Sequence, residues 1–250
     1  MVILGDSILT SKQGENIHNL VKIICQDLNI IRSDWNGFNV LNKYASRIGG
    51  LSVGFVPYDG GMSALNIKNS LKDSKLKILF LIEADDFDVN IKDLKNAFVI
   101  YIGHHGDRYA GSSDIVLPTT AFTEKKSLFV NLEGRPQFTK KITSNLGKAV
   151  DAWKIFKALD QKISDKIKFN NHSELLKSIF ENYPSISNIG NYVAQKWIKT
   201  NKKKVLLTSE KNNFNTNNFY QTCSISRSSE NMANCVKTIL KSKKVKDEFI

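Results

Sequence analysis

The chain is poor in cysteine and has no long apolar run, and both shortages exclude classes of protein. Its 250 residues include three cysteines, Cys25, Cys223 and Cys235, which are isolated from one another in sequence. An iron–sulfur cluster generally needs four cysteine thiolates, so these residues cannot hold one by themselves. Their odd number and irregular spacing argue against a disulfide framework and for a reducing compartment. Apolar runs such as Ile78 to Ile82 are far shorter than the roughly 20 residues of a membrane-spanning helix, so we expect no direct membrane insertion.

Recognisable catalytic motifs are also lacking. The sequence contains no G-x-G-x-x-G, no P-loop, no H-E-x-x-H and no G-x-S-x-G. These motifs mark dinucleotide, phosphate, zinc and nucleophile sites, respectively. Gly5 and Ser7 follow the first apolar run, but such a turn is too common to identify a phosphate site. The sequence therefore predicts no catalytic group from a motif alone.

Arginine is scarce although the chain is strongly basic. The net charge is +12, yet only five arginines are present, and clustered lysines occur only at residues 202–204 and 241–246. Nucleic-acid recognition favours arginine, whose planar guanidinium makes paired hydrogen bonds, and no zinc finger or RNP motif is present. We predict a solvated lysine-rich surface and no nucleic-acid partner. Docking against an acidic subunit is the next alternative, and a basic module for RNA or acidic lipid is a further one.

Apolar segments in the first two thirds of the chain alternate between strand and helix patterns. The patterns predict a strand at 2–4, helices at 15–28 and 40–48, and strands at 77–82 and 97–102. The last two runs are apolar on both faces, as in a parallel sheet that helices cover on both sides. The predicted fold class is α/β, with a doubly wound and mostly parallel sheet over residues 1–165.

The pattern changes after Pro118. Two β-prone segments at 127–132 and 137–142 flank a turn and predict a hairpin. The next segment, 149–163, predicts an amphipathic helix whose buried face would contain Trp153, Phe156, Ala158, Leu159 and Ile163. Residues 166–250 are predicted to be a helical appendage, with helices at 172–180, 189–198 and 230–240 and an Asn-rich loop near 209–218.

The segment 112–138 carries several functional residue types at close spacing. It contains Asp114 before an apolar run that ends at Pro118, then Glu124, Asn131 and the triplet Glu133-Gly134-Arg135. It resembles the molybdopterin oxidoreductase fold in the form found in the large iron–sulfur subunit of respiratory complex I. The preceding segment 101–107, YIGHHGD, and the later segment 223–229, CSISRSS, are similar to the same subunit.

The resemblance covers nearly the whole chain but only the last third of the family protein. It implies a structural, non-catalytic fragment of complex I that lacks the cysteine-bearing amino-terminal part. On this interpretation the chain holds no cofactor, and iron–sulfur clusters and FMN lie on partner subunits. The implied partners are the amino-terminal iron–sulfur part on a separate chain and other matrix-arm subunits. A fragment of an active molybdopterin oxidoreductase is the alternative within the same fold.

The family implies a mitochondrial location on the matrix side of the inner membrane. The chain begins directly with an apolar segment, Val2 to Leu4, which leaves no room for an Arg-rich presequence. We expect either that such a segment was removed or that the protein is made inside the organelle. Abundant lysine, asparagine and isoleucine suggest AT-rich coding, which is common in mitochondrial genomes. We therefore hypothesise that the protein is encoded in that organelle.

His104, His105 and Asp107 form the first candidate site. Adjacent histidines point apart on a strand or a helix, so they cannot chelate one metal without a distorted loop and further ligands. They follow a predicted strand, at the end where open α/β sheets bind ligands. We therefore predict a capping or subunit-contact role, in which Asp107 could orient either imidazole.

Glu124, Glu133 and Arg135 form the second candidate site. They could act as an acid, a base and an anion clamp, since a guanidinium binds carboxylate or phosphate through paired hydrogen bonds. Alternatively, a Glu–Arg pair holds the hairpin, with Gly134 in its turn. The resemblance leaves room for a vestigial nucleotide site near this region.

Overall fold

The computed structural model describes residues 1–9, 11–84, 87–106, 108–191, 197 and 219–240. The chain divides into two compact units that alternate along the sequence. The first unit combines 1–56, 127–139 and 169–214, and the second combines 57–126, 140–168 and 215–250. The domain boundary predicted near residue 165 stays a prediction.

A parallel strand pair lies at the centre of the first unit. Strand β1 (Val2–Gly5) pairs with β2 (Phe38–Leu41), and the connection contains α1 (Asp6–Leu9) and α2 (Gly14–Asp27). The apolar stripe of α2 packs on this pair, so Leu4, Cys25 and Phe38 form the buried core. The indole of Trp197 contacts Phe38 edge-on at 5.9 Å and donates a hydrogen bond to Gln26 at 3.1 Å. Cys25 is fully buried in this core.

The helix predicted at 40–48 is wrong. Val40 and Leu41 belong to β2, where they pair with Leu4 and Gly5. The helix in this region is α3 (Arg47–Ser52), which contains Gly49 and Gly50. Local spacing suggested a helix, but pairing with a strand about 35 residues away decided the outcome, because β-structure depends strongly on non-local contacts.

The predicted hairpin is confirmed in the first unit, with shorter strands than expected. Strand β6 (Leu128–Val130) pairs antiparallel with β7 (Pro136–Phe138), and α3 packs on β6. Helix α7 (His172–Asn182) corresponds to the helix predicted at 172–180, and a 3₁₀ turn (Pro184–Ile186) follows it. Most residues of the helix predicted at 189–198 lie outside the described part of the chain.

A three-stranded parallel sheet forms the second unit's centre. Strands β3 (Ile78–Ile82), β4 (Phe98–Gly103) and β5 (Ile115–Pro118) lie in the order β3-β4-β5. Two helices, α4 (Ala64–Lys72) and α5 (Ile91–Leu94), contribute buried leucines to the core on one face. The other face exposes much of Ile78, Phe80 and Ile82. Coverage by helices is thus confirmed for one face, and the other face is covered in part, since Ile102 beside Ile82 is fully buried.

The helix predicted at 149–163 forms α6 (Ala152–Ile163), with Asp151 as its N-cap residue. Its predicted buried face is wrong, because no residue of α6 is fully buried. Phe156 contacts Phe80 at 6.4 Å between ring centroids, whereas Ile163 is 75% exposed. The apolar stripe of α6 is present, but its side chains are only partly buried.

The described carboxy-terminal residues are helical. Helices α8 (Ser224–Arg227) and α9 (Glu230–Cys235) are followed by a π-helical turn (Val236–Leu240) over the predicted 230–240 helix. The Asn-rich segment 209–218 and the lysine runs at 202–204 and 241–246 lie outside the described residues. Among those that are described, no helix combines the length and apolar character needed to cross a bilayer.

Candidate functional site

The carboxyl ends of β3, β4 and β5 lie at one edge of the parallel sheet. Hydrogen bonds fix this edge, since the Glu83 amide donates to the Ile102 carbonyl at 2.8 Å and the Thr119 amide donates to the Gly103 carbonyl at 3.1 Å. Open α/β sheets bind ligands at this edge. The edge brings together Glu83, His104, His105 and Pro118 and is the first candidate site.

Glu83 and Lys125 form an ion pair at this edge. The Lys125 Nζ lies 3.1 Å from Glu83 Oε1, and the lysine side chain is only 22% exposed. Glu83 has a left-handed backbone with φ of 46°, which is uncommon for a residue other than glycine and often marks functional positions. The motifs of the sequence did not point to Glu83, although an acidic residue directly after a buried strand was a usable signal. Glu124 instead accepts a hydrogen bond from the Ala121 amide at 3.0 Å and stabilises its own loop.

His104 and His105 contact each other in the loop after β4. Their Nδ1 atoms are 2.5 Å apart, and their rings meet edge to face with centroids 4.7 Å apart. In this contact one Nδ1 donates and the other accepts, with the roles set by the tautomers of the two rings. Asp107 lies outside the described residues, and its predicted orienting role stays a prediction. Within the described ranges, no group of three or more His, Cys, Asp or Glu side chains could hold a metal ion.

Asp114, Pro118 and the two threonines after Pro118 hold the sheet. Asp114 lies at the amino end of β5, opposite the candidate edge, where its carboxylate accepts a hydrogen bond from the Val99 amide at 2.7 Å. Pro118 ends β5 opposite Gly103. Thr119 and Thr120 are buried and donate to the Val150 carbonyl at 3.0 Å and the Asp151 carboxylate at 2.9 Å. The sequence pattern did not single out these threonines, whose partners are 31 residues away in sequence.

The second candidate site is the turn between β6 and β7, in the first unit. Asn131 Oδ1 accepts hydrogen bonds from the backbone amides of Glu133 at 3.0 Å and Arg135 at 2.9 Å. Gly134 has φ of 89°, a left-handed conformation that glycine adopts without strain. A Glu133–Arg135 ion pair of 3.5 Å spans the turn. Asn131 therefore organises the turn, and Gly134 allows its backbone to reverse.

Arg135 also joins the hairpin to a later part of the first unit. Its guanidinium donates to the Gly190 carbonyl at 3.0 Å, and the Gly190 amide donates to the Pro136 carbonyl at 2.8 Å. The internal pairing considered from the sequence is the Glu133–Arg135 ion pair, and the contacts with Gly190 are additional to it. No local pattern could identify Gly190, which lies 55 residues from Arg135.

A cavity of about 300 Å³ lies beside this hairpin, at the carboxyl end of β2. Its lining combines amide, aromatic and aliphatic side chains: Asn42, Tyr44, Ala45, Ile48, Phe129, Val130, Asn131, Leu132 and Gln137. None of these nine residues is cationic, whereas a dinucleotide pyrophosphate is usually bound by cations or by backbone amides at a helix N-terminus. The side chains of this lining therefore offer no cation to the phosphates of a pterin dinucleotide.

The three thiols have different environments. Burial raises the pKa of the Cys25 thiol. Cys223 precedes α8 and is exposed, and the hydrogen bond from the Ser226 hydroxyl is the main cause that lowers its pKa. All three are free cysteines. Cys25 is in the first unit and the other two are in the second.

The parallel strands and the helices between them define an α/β protein. In such proteins ligands usually bind at the carboxyl ends of the strands. The chain belongs to the molybdopterin oxidoreductase family, whose model matches residues 1–162. A second family model, which describes the carboxy-terminal region of the NADH-ubiquinone oxidoreductase G subunit, matches residues 189–235. The resemblance inferred from the sequence is thereby confirmed.

Curated relatives match nearly the full chain. The NADH-quinone oxidoreductase G subunit of Rickettsia bellii is 36% identical over 94% of this chain and 33% of its own length. The mitochondrial NADH-ubiquinone oxidoreductase 78 kDa subunit of Candida albicans is 35% identical over 99% of this chain and 34% of its own length. The 75 kDa subunit of Reclinomonas americana is 32% identical over 94% and 33%, respectively. The chain spans about a third of the length of these relatives.

Proposed function

We propose that this chain is a structural, non-catalytic part of NADH:ubiquinone oxidoreductase, respiratory complex I. The proposal depends mainly on one observation. Subunits of that enzyme from three organisms match 94–99% of the length of this chain. The family models match in sequence order, with the carboxy-terminal model of the G subunit after the molybdopterin oxidoreductase model. The order of the two matches supports the proposal that this chain corresponds to the carboxy-terminal third of the subunit.

The site geometry supports a structural role. Lys125 is paired with Glu83, Arg135 binds Glu133 and a backbone carbonyl, and Glu124 stabilises its own turn. These groups are engaged in holding loops, and the side chains that line the cavity beside the hairpin offer no cation to a pterin dinucleotide. We infer that the chain itself carries no cofactor. Iron–sulfur clusters and FMN are expected on partner subunits, and electrons pass between those groups.

The proposed partners are the iron–sulfur-bearing amino-terminal part of the same subunit and other matrix-arm subunits. The proposed location is the matrix side of the mitochondrial inner membrane, since the Candida albicans relative is named as mitochondrial. We also infer that the parallel strands belong to a doubly wound fold of the molybdopterin oxidoreductase type, with the carboxy-terminal helices as an appendage.

Purification of the tagged chain from its source under native conditions tests this proposal. We expect mass spectrometry to find the complex I matrix-arm subunits with it, including the iron–sulfur part. Molybdenum and pterin should be absent from the material. Substrate oxidation by the isolated chain, or bound molybdopterin, would favour the active-enzyme alternative. Recovery of ribosomal RNA without respiratory subunits would favour the basic binding module.

A further inference from the structure

Positive charge is dense in one described segment of the second unit. Residues 140–168 contain eight lysines and three aspartates, with neither arginine nor glutamate. The net charge of this segment is +5, compared with +12 for the whole chain of 250 residues. Helix α6 forms the centre of the segment and carries three of these lysines, Lys154, Lys157 and Lys162. We define these three residues as the lysine face.

The packing of α6 directs the lysine face away from the sheet. The Phe156 ring contacts Phe80 of β3, so this side of the helix lies against the second unit. At about 100° of rotation per residue, Lys154 lies about 160° around the helix from Phe156, and Lys157 and Lys162 lie about 100° and 120° from it. Lys154 and Lys162 are exposed, and Lys157 is half-buried. The three ammonium groups therefore share the outward side of α6.

The acidic residues of this helix hold its own ends. Asp151 is the N-cap residue and accepts a hydrogen bond from the Thr120 hydroxyl at 2.9 Å. Asp160 accepts hydrogen bonds from the Ser164 hydroxyl at 2.5 Å and from the Ile167 amide at 2.7 Å, and these bonds lower the pKa of its carboxyl group. Both carboxylates thus serve the local fold, and the outward side of α6 carries charge of one sign.

A helix with an ordinary solvated surface has mixed charges, as α7 shows. There Lys177 pairs with Glu181 one turn later at 3.9 Å. On α6 the positions four residues after Lys154 and Lys157 hold no acid, and these two lysines are themselves three residues apart. Like charges at this spacing destabilise a helix slightly. We propose that the lysine face docks on a carboxylate-rich surface of another polypeptide in the assembly, which supplies the complementary charge.

Two other anionic partners fit the lysine face less well. A helix that lies in a membrane interface buries its apolar side in the bilayer, whereas Phe156 on the apolar side of α6 lies against the sheet. Nucleic-acid phosphates favour arginine, whose planar guanidinium makes paired hydrogen bonds, and residues 140–168 contain no arginine. A lysine ammonium is a point charge that pairs well with a single carboxylate. The chemistry of the lysine face thus favours a protein partner.

Carbodiimide crosslinking of the native assembly tests this inference, which rests on the proposed function. A carbodiimide joins a lysine amine directly to a carboxylate that it contacts, without a spacer. We expect mass spectrometry to find Lys154, Lys157 or Lys162 joined to an aspartate or glutamate of another subunit. The absence of such links, or links from these lysines only to residues of this chain, would overturn the inference.

A pair of charge-reversed variants adds an independent measurement. Lys154→Glu with Lys157→Glu should lower recovery of the crosslinked subunit at least tenfold, because repulsive pairs replace attractive ones. The control is Lys68→Glu with Lys72→Glu on α4, in the same unit, which makes the same change in net charge and should leave recovery unchanged. In each pair one lysine is exposed and the other is half-buried. Circular dichroism checks that both variants fold, and if the α6 variant does not, the crosslinking result decides.

Further outcomes distinguish the partners and separate this inference from the proposed function. Release of the subunit by ribonuclease would show that RNA joins the two chains and would overturn the inference. Binding to phosphatidylcholine vesicles that contain phosphatidylserine, abolished by the α6 substitutions, would do the same in favour of a membrane. Failure of the unmodified chain to recover any respiratory subunit contradicts the proposed function itself. Equal recovery with both charge-reversed variants contradicts only the role of the lysine face.

Discussion

The two faces of the β3-β4-β5 sheet are built from alternate residues of the same strands, yet along β3 one face is buried and the other is partly exposed. On one face Leu81 is 2% exposed and contacts a core that includes Val99 and Tyr101. On the other face, the neighbouring Ile82 is 41% exposed. Both faces are equally apolar in sequence, so the difference arises from what covers them. The buried positions of β3 therefore stabilise the isolated chain more than its partly exposed positions do.

The largest expected effect separates the two faces directly. Leu81→Ala should lower the free energy of unfolding of the isolated chain by about 2–5 kcal/mol, because it leaves a cavity in a packed core. Ile82→Ala should lower it by about 1 kcal/mol or less, because the side chain is already partly in solvent. Urea unfolding followed by circular dichroism measures both. Equal losses for the two variants would show that the faces do not differ as described.

A smaller loss of unfolding free energy is expected when a buried hydrogen-bond network in the core of the second unit is disrupted. The Tyr109 side chain is buried, and its hydroxyl donates to the Phe87 carbonyl at 2.5 Å and accepts from the Val89 amide at 3.1 Å. Tyr109→Phe leaves both backbone groups without this partner and should destabilise the chain by about 1–3 kcal/mol. The matched control is Tyr58→Phe, because Tyr58 is 85% exposed. A loss below the measurement error for Tyr109→Phe would contradict this role.

The same contrast explains what the sequence could predict of the fold. The runs that form β3 and β4 are strongly apolar, so local pattern was sufficient to predict both strands. The helix expected at 40–48 failed because β2 is specified by pairing with β1, a contact that no local window contains. The amphipathic pattern of α6 was predicted correctly, but which of its apolar residues are packed depends on contacts distant in sequence, such as that of Phe156 with Phe80. Local periodicity predicts which side chains are suited to burial, but it does not identify the element that packs on them.

The candidate sites show the same limit. The turn at Asn131, Gly134 and Arg135 was predictable because its main hydrogen bonds lie within five residues. The contacts of Arg135 with Gly190, and of Glu83 with Lys125, join residues 55 and 42 positions apart. Only the folded chain brings these partners together. The sequence could therefore indicate Arg135 but could not distinguish an anion clamp from an internal pair.

The smallest effect is expected where neither face is involved, at the carboxyl ends of the strands. The pair between Lys125 Nζ and Glu83 Oε1 is partly exposed, with side-chain exposures of 22% and 37%. A double-mutant cycle of Lys125→Met and Glu83→Gln should give a coupling free energy of about 0.2–1 kcal/mol, because solvent screens such pairs. The coupling should decrease as salt is added. A coupling well above about 2 kcal/mol that is insensitive to salt would instead indicate a desolvated pair, and would make the candidate edge a stronger candidate for ligand binding.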